Sequence, residues 1–151
     1  MSDPVSFAST TPRFELPLLF AAQAQKEAFV NEALARIDAV LHPAVLGERS
    51  APPTAPGAGS SWIVGPDAIA DWTGEAGKIA VWSGAQWLFV APREGMACRD
   101  LSTGAVLVYS EGWQRTAAPA LPTGGDTVDA ECRAAVAAIV GAFQTLGIFS
   151  V

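Results

Sequence analysis

The stretch that decides the fold is Gly77–Trp87, GKIAVWSGAQW, because its pattern returns at Gly104–Trp113, GAVLVYSEGW. Each copy runs from a glycine through a short apolar strand to an aromatic residue, a serine, a turn and a tryptophan. The offset between the copies is 27 residues up to the aromatic and 26 at the tryptophan, since the second turn is one residue shorter. Apolar segments on either side of turn residues are typical of β-hairpins. The sequence therefore predicts two equivalent hairpins.

Two further short strands extend this pattern into a sheet. Trp62–Val64 precedes the first hairpin and Met96–Arg99 precedes the second, which predicts an antiparallel sheet of about six short strands. Both faces of the first hairpin are apolar, so the sheet needs cover on two sides. We therefore expect an α+β fold with an N-terminal helix, a small antiparallel sheet of repeated Trp hairpins and a C-terminal helix.

The first helix is predicted over Ala21–Leu41, because Pro43 ends it and its apolar residues fall within about 140° of a helical wheel. These residues are Phe29, Val30, Ala33, Leu34, Ile37, Val40 and Leu41. Gln23 and Lys26 project onto the same arc, where a helix that packs on a core has apolar residues. Either the first turns leave the core, or these two side chains meet polar groups of a partner. They are the candidate partner-binding residues.

The second helix is predicted over Thr127–Leu146, with Asp126 or Thr127 as its N-cap. Its larger apolar residues are spaced 4, 3, 4 and 3 apart, which is a heptad seam: Cys132, Val136, Ile139, Phe143 and Leu146. This seam packs either on the chain's own sheet or on copies of itself around a symmetry axis. We expect the second arrangement, as a trimer or pentamer, because the alanines between the seam residues leave the other faces apolar as well.

The pattern divides the chain into five segments. Residues 1–12 form an N-terminal arm, 13–46 an N-terminal helix region, 47–60 a Pro/Gly-rich linker, 61–119 the β-hairpin repeat domain, and 120–151 a linker with the C-terminal oligomerisation helix. The first residues lack a basic and then apolar leader, so we expect no signal peptide. The C-terminal helix lacks a basic anchor and contains Gln144, so we expect no membrane insertion.

Composition narrows the classes of partner. The formal net charge is −6 and only 16% of the residues are charged, while 50% are hydrophobic. An acidic chain lacks the basic face with which proteins bind nucleic acid. The two cysteines do not have the spacing of a zinc site. We therefore expect no nucleic acid, no metal and no other cofactor.

Residues that carry catalytic chemistry are scarce. His42 is the only histidine, so the chain has no second histidine or cysteine partner for a nucleophilic triad. Asp67, Asp71 and Glu75 lie near Trp72, and paired carboxylates beside an aromatic ring are found in glycosidases. A solvated acidic loop is the alternative that we favour. We expect that the protein is not an enzyme.

Aromatic rings carry the remaining binding hypothesis. Six of them fall within 52 residues: Trp62, Trp72, Trp82, Trp87, Tyr109 and Trp113. Such rings either stack on sugars or form the core and cross-strand pairs of a small sheet. Their matched positions in the two hairpins favour the second role, whereas Trp72 lies in a loop and is expected to be exposed. The candidate glycan-binding residues are Trp72, Trp87 and Trp113.

Several segments resemble a domain of unknown function from alphaproteobacterial phages and gene transfer agents. The similar segments are QAQKEAFVNEALARID at 23–38, APPTAPGAGSSWIVG at 51–65 and AGKIAVWSGAQWLFVAPREG at 76–95, and the closing residues 127–149 resemble a helix that ends other proteins of such particles. Met96 departs from the pattern, which has an aromatic there, and many relatives continue further.

The resemblance implies a structural part of a phage-like particle, assembled in the cytoplasm, whose head spikes attach to host capsular polysaccharide. Its partners would be its own copies, capsid or fibre proteins, and host polysaccharide. The departures favour the base or adaptor of a spike or fibre. The alternative function is a carbohydrate-binding module that recognises host capsule or envelope glycan through exposed tryptophans.

Overall fold

The computed structural model describes residues 9–20, 26–126 and 128–149. Two helices lie near the ends of this part of the chain, α1 at Lys26–Val40 and α2 at Ala130–Thr145. Between them are strands β1 (Ala44–Val45), β2 (Glu48–Arg49), β3 (Ser61–Val64), β4 (Ile79–Trp82), β5 (Trp87–Val90), β6 (Ala97–Asp100), β7 (Val106–Tyr109) and β8 (Trp113–Gln114), with a 3₁₀ turn at Ala70–Trp72. The predicted α+β class is confirmed.

The strands form two four-stranded sheets instead of the single antiparallel sheet that the sequence predicted. One sheet has the order β2-β3-β4-β5 and the other β1-β6-β7-β8. In each sheet the first two strands are parallel and the other neighbours are antiparallel. The extra strands are the dipeptides of residues 44–49, too short to leave a sequence pattern. One of them joins each sheet, which makes both sheets mixed.

Each sheet belongs to its own compact unit. The first unit comprises residues up to Pro43 together with Glu48–Ala91, and it holds α1 and the β2–β5 sheet. The second unit comprises Ala44–Gly47 and the residues from Pro92 onward, and it holds α2 and the sheet of β1 and β6–β8. Residues 44–49 thus supply the parallel strand of both units.

The two hairpins are equivalent in their backbone hydrogen bonds, as predicted. The amide of Trp82 donates to the carbonyl of Ser60 at 2.9 Å, and the amide of Tyr109 donates to that of Met96 at 2.9 Å. The glycines that open the two hairpins, Gly77 and Gly104, both have positive φ, 77° and 69°. Glycine adopts this backbone conformation without strain, which explains why both copies begin with it.

One loop distinguishes the two units. Ser60 and Met96, which directly precede the equivalent strands β3 and β6, are 36 positions apart, whereas the hairpins are 27 positions apart. The loop between β3 and β4 is therefore longer than the loop between β6 and β7. The extra residues include the 3₁₀ turn that carries Trp72, so the longer loop supplies a ring to the first unit.

The core of the first unit is aromatic. Trp62, Val64, Trp72 and Ala80 form its buried cluster, and the partly buried rings of Trp87 and Phe89 pack against that cluster. In the second unit the buried side chains are smaller and include an acid: Val45, Cys98, Asp100, Ala105 and Leu107. The same strand topology thus holds two different cores.

Candidate functional site

A polar clasp joins residues 9–20 to α1. The carboxylate of Asp38, which is buried, accepts hydrogen bonds from the Thr11 hydroxyl at 2.7 Å and the Phe14 amide at 2.7 Å. The Arg13 amide also donates to this carboxylate, at 3.2 Å. A buried carboxylate is tolerated when several donors satisfy it. Asp38 therefore fixes the turn of the preceding segment against the helix.

Arg13 completes the clasp at the same C-terminal end of α1. Its guanidinium donates to the carbonyls of Asp38 at 2.8 Å, Ala39 at 3.0 Å and His42 at 2.8 Å. The last carbonyls of a helix have no partner within the helix, and a cation there is favoured by the helix dipole. Arg13 thus caps the C-terminal end of α1.

Asn31 makes a third tie to the same segment. Its side-chain oxygen accepts from the Leu19 amide at 2.8 Å, and its side-chain nitrogen donates to the Leu19 carbonyl at 3.0 Å. Asn31 and Asp38 both belong to the run QAQKEAFVNEALARID. Sequence reasoning assigned them no role, although a polar residue amid helical apolar spacing was the available signal. In the structure they hold the N-terminal segment.

Because its polar side binds this segment, α1 turns its apolar arc to solvent. Asp38 lies nine residues after Phe29 and hence about 180° round the helix from it. Phe29 is 78% exposed, and Val30, Ile37, Val40 and Leu41 are exposed as well. The expectation that the arc packs on a core is wrong, since the buried residues of α1 are Asp38 and Ala39.

Of the two candidate partner-binding residues, the structure describes Lys26. Lys26 is the first residue of α1 and its side chain is exposed on the apolar arc. Among the described residues no ion pair involves Lys26. Gln23 lies outside the described residues. Lys26 therefore places a positive charge at the N-terminal end of the exposed arc.

No residue of α2 is fully buried, although one side of the helix, at Arg133, Val140 and Gln144, is half-buried. None of its sixteen residues, all of which the structure describes, is buried. The seam residues of the sequence prediction are exposed, from Cys132 at the N-terminal end to Leu146 at 63%, with Ile139 at 54% between them. The helix does not bury this seam within the described part of the chain. Its apolar surface is available to another molecule.

The ends of α2 are well defined. Asp129, and neither Asp126 nor Thr127, is the N-cap, and its side chain accepts from the Cys132 amide at 2.9 Å; Thr127 lies outside the described residues. At the other end the chain turns at Gly147, which has a positive φ of 76°. The Gly147 carbonyl accepts from the Val106 amide of β7 at 2.6 Å. The second sheet thus anchors the helix at its C-terminal end.

The glycan-binding candidates are mostly packing rings. The prediction that Trp72 is exposed is wrong. Its side chain is fully buried, and its ring lies 5.1 Å from that of Trp87. Trp87 and Trp113 are partly buried. They make the predicted cross-strand pairs, Trp82 with Trp87 at 5.0 Å and Tyr109 with Trp113 at 5.4 Å between ring centroids.

The remaining polar candidates do not converge. Asp67 and Asp71 are exposed, and Glu75 forms an ion pair with Lys78. The His42 ring lies 6.2 Å from that of Phe14. Within the described residues no group of three or more His, Cys, Asp or Glu side chains is placed to hold a metal ion. The acids near Trp72 are therefore separate surface groups.

Asp100 is a buried carboxylate whose pKa the fold lowers. Burial by itself raises the pKa of Asp100, but hydrogen bonds from the Ser102 side chain and amide, with a contribution from Thr103 and the Arg115 charge, lower it below the ordinary value of 3.8. The Ser102 hydroxyl lies 2.6 Å from Asp100 Oδ1, and Arg115 lies 2.6 Å from Oδ2. These partners close the turn after β6 and tie it to the end of β8, so the group stabilises the second unit.

Comparison with known proteins identifies the family. A profile described as a protein of unknown function, DUF2793, matches residues 30–114. The chain belongs to the DUF2793 family. The match covers both hairpins and most of α1, that is, more than half of the 151-residue chain. No curated protein matches the chain.

Membership of DUF2793 assigns no activity, so the function has to be argued from the surfaces. In the parts of the chain that the structure describes, neither helix has both the length and the apolarity needed to cross a membrane. The helices α1 and α2 both expose large apolar side chains. Apolar patches of this kind on a folded domain mark sites where proteins associate.

Proposed function

We propose that this DUF2793 protein is a structural, non-catalytic component of a phage-like or gene-transfer-agent particle, the base or adaptor of a head spike or fibre. It assembles with copies of itself and anchors the spike that attaches to host surface polysaccharide. The single observation that carries the proposal is α2, a helix of sixteen residues without one buried side chain. The placement in a particle rests on the resemblance of the three quoted segments.

The stability of α2 depends on what its apolar side chains contact. An isolated helix of about four turns is marginal in water, and most helices are held by packing of an apolar face. The charged residues of α2 are confined to its first turn, Glu131 and Arg133. The remainder of the helix has no charged residue, and its exposed side chains include Val136, Ile139 and Phe143. Burial of a large apolar side chain stabilises the folded state by about 1.5–3 kcal/mol. Association with another copy would bury these side chains of α2.

The hairpins support a scaffold role rather than a receptor role. Trp72 is buried among other rings and Trp87 packs against it, so the aromatic residues stabilise the sheets. Spikes and fibres need units that keep their shape while their ends make contacts. Two small sheets, each in a unit with a helix that exposes apolar side chains, meet that need.

The experiment is to find the protein in the particle. The full chain, with an affinity tag, is expressed in the strain from which it comes, and released particles are purified by density gradient. We expect the tagged chain to sediment with the particles and to appear at spikes or fibres after gold labelling. Ile139→Asp is expected to remove it from the particle fraction, whereas Ala134→Asp, on the opposite face of α2, is expected to leave it there. Absence of the wild-type chain from intact particles would overturn the proposal.

A further inference from the structure

The chain exposes two apolar helix surfaces of similar length, one in each unit. The arc of α1 runs along a helix of 15 residues and the seam of α2 along a helix of 16, which correspond to about 22 Å and about 24 Å. Each lies on a helix whose own unit leaves it open. We propose that these surfaces cover each other between copies: the α2 seam of one copy packs along the α1 arc of the next. The inference rests on the proposed function and names its partner.

Charge selects this pairing over the pairing of like helices. Lys26 projects onto the middle of the α1 arc at its N-terminal end, and Asp129 lies beside the α2 seam at its N-terminal end. Parallel packing of α1 against α2 therefore places a cation next to a carboxylate. Asp129 Oδ1 caps the Cys132 amide, and a carboxylate has a second oxygen for Lys26.

Pairing of α2 with α2 lacks this match. In a parallel pair the two Asp129 carboxylates lie side by side, which is destabilising. In an antiparallel pair each Asp129 lies beside the last turn of the other α2, which carries no basic residue. A parallel pair of α1 helices brings together two copies of Lys26 in the same way. Of these pairings, the mixed, parallel pair is the one that brings the two unlike charges together.

The geometry of assembly follows from the mixed pair. Each copy uses α1 toward one neighbour and α2 toward the other, so the interface is head-to-tail. Such contacts close into a ring when the rotation between copies permits and otherwise continue as a fibre. A ring fits the base of a spike, and it agrees with the expected trimer or pentamer without a seam at the symmetry axis.

The test uses two variants of the 151-residue chain, each of which disrupts one of the two apolar surfaces. Phe29→Asp places a charge on the α1 arc and Ile139→Asp places one on the α2 seam. We expect each variant alone to be a monomer by mass photometry, because each lacks one half of every interface. An equimolar mixture is expected to form a dimer of one copy of each, joined by the intact α2 of the first and the intact α1 of the second.

Matched controls keep the helix and the substituent and change the face. Ala28→Asp in α1 and Ala134→Asp in α2 are exposed positions away from the two apolar surfaces, and we expect both to assemble as the wild type does. Circular dichroism shows whether each variant keeps its helices. Lys26→Glu is expected to weaken association about two- to fivefold, with less effect at high salt, whereas Arg93→Glu makes the same charge change and leaves association unaltered.

Each outcome decides between arrangements. If Phe29→Asp assembles as the wild type does, the α1 arc is not the partner and the inference is overturned, although the proposed function stands. If the mixture of the two folded variants remains monomeric, the inference is overturned as well. Failure of the proposed function is read separately, from particles that lack the chain.

Discussion

Trp82 and Trp87 lie directly opposite each other on β4 and β5, with their ring centroids 5.0 Å apart. Tyr109 and Trp113 repeat the pair on β7 and β8 at 5.4 Å. Trp87 belongs to a larger cluster of rings, since its ring is also 5.1 Å from Trp72 and 6.0 Å from Trp62. Trp87 therefore joins the hairpin to the core of the first unit.

The packing of Trp87 against the buried cluster of the first unit predicts unequal effects of removing Trp87 and Trp113. We expect Trp87→Ala to lower the free energy of unfolding of the first unit by about 3–5 kcal/mol, the cost of emptying an aromatic site in a core. Trp113→Ala is expected to cost about 1–2 kcal/mol, in the range of a cross-strand aromatic pair with some burial. Urea unfolding followed by far-UV circular dichroism measures both. Equal losses would show that Trp87 is not a core residue.

The clasp of α1 is the second point at which stability can be measured. Asp38→Ala removes the acceptor of the Thr11 hydroxyl and of the Phe14 amide. We expect a loss of about 2–4 kcal/mol, because a buried set of donors is left without a partner. Hydrogen exchange at residues 11–14 is expected to accelerate at the same time. Glu32→Ala, which removes an exposed acid from the same helix, serves as the control and should change neither quantity.

Asp100 predicts how the second unit responds to acid. Its pKa is lower in the folded chain than the ordinary 3.8, so the ionised carboxylate stabilises the fold. This contribution is complete above pH 3.8 and is lost as the pH falls through the lower folded pKa. Ser102→Ala removes a hydrogen bond to the carboxylate and is expected to raise its pKa.

The measurement is an acid titration of stability. We expect Asp100→Asn to make the stability of the second unit less dependent on pH below 4, and Ser102→Ala to move the onset of acid unfolding to higher pH. Carboxyl carbon resonances report the pKa of Asp100 directly. Asp67→Asn, at an exposed acid, provides the comparison. A folded pKa at or above the ordinary value would contradict this account of the turn.

Cys132 predicts a chemical signature of assembly. Its thiol lies on the exposed α2 seam, whereas the Cys98 thiol is buried. We expect iodoacetamide to modify Cys132 quickly in the Ile139→Asp variant and at least several-fold more slowly in the assembled wild type, because association covers the seam. Cys98 serves as an internal reference that stays protected in both. Mass spectrometry of the modified peptides follows the two thiols, and an equal rate at Cys132 in both forms would argue against burial of the seam.

The sequence predicted those parts of the fold that are local. The hairpins at Gly77–Trp87 and Gly104–Trp113 follow from turn residues and short apolar strands, and their equivalence is confirmed by matching hydrogen bonds. The dipeptide strands β1 and β2 could not be predicted, because two residues carry no periodicity. Their pairing depends on strands distant in the chain.

The two largest errors of the sequence prediction have one cause. In both, segments that are distant in the chain contact the polar side chains of α1 or the ring of Trp72. The arc of α1 was expected to pack on a core, but the clasp at Asp38 and Asn31 turns the opposite side inward. Trp72 was expected to be exposed because it lies in a loop, but the longer loop folds onto the sheet and buries it. Helical spacing shows that a face is apolar without showing what covers it.

The candidate surface on α2 was visible in the sequence because seam spacing is a periodic signal. What the structure adds is that this seam remains exposed within the described chain and that α1 has a second exposed arc. Contact between the α2 seam of one copy and the α1 arc of another involves a second molecule, so neither the sequence nor the structure of one chain shows it.

The proposed association of copies through their exposed helices is tested most directly by the native mass of the purified 151-residue protein. Mass photometry, with light scattering at micromolar concentration, is expected to give a closed oligomer for the wild type and for Ala134→Asp. Ile139→Asp is expected to give a folded monomer. A wild-type protein that is monomeric at that concentration, or an Ile139→Asp variant of unchanged mass, would contradict the claim.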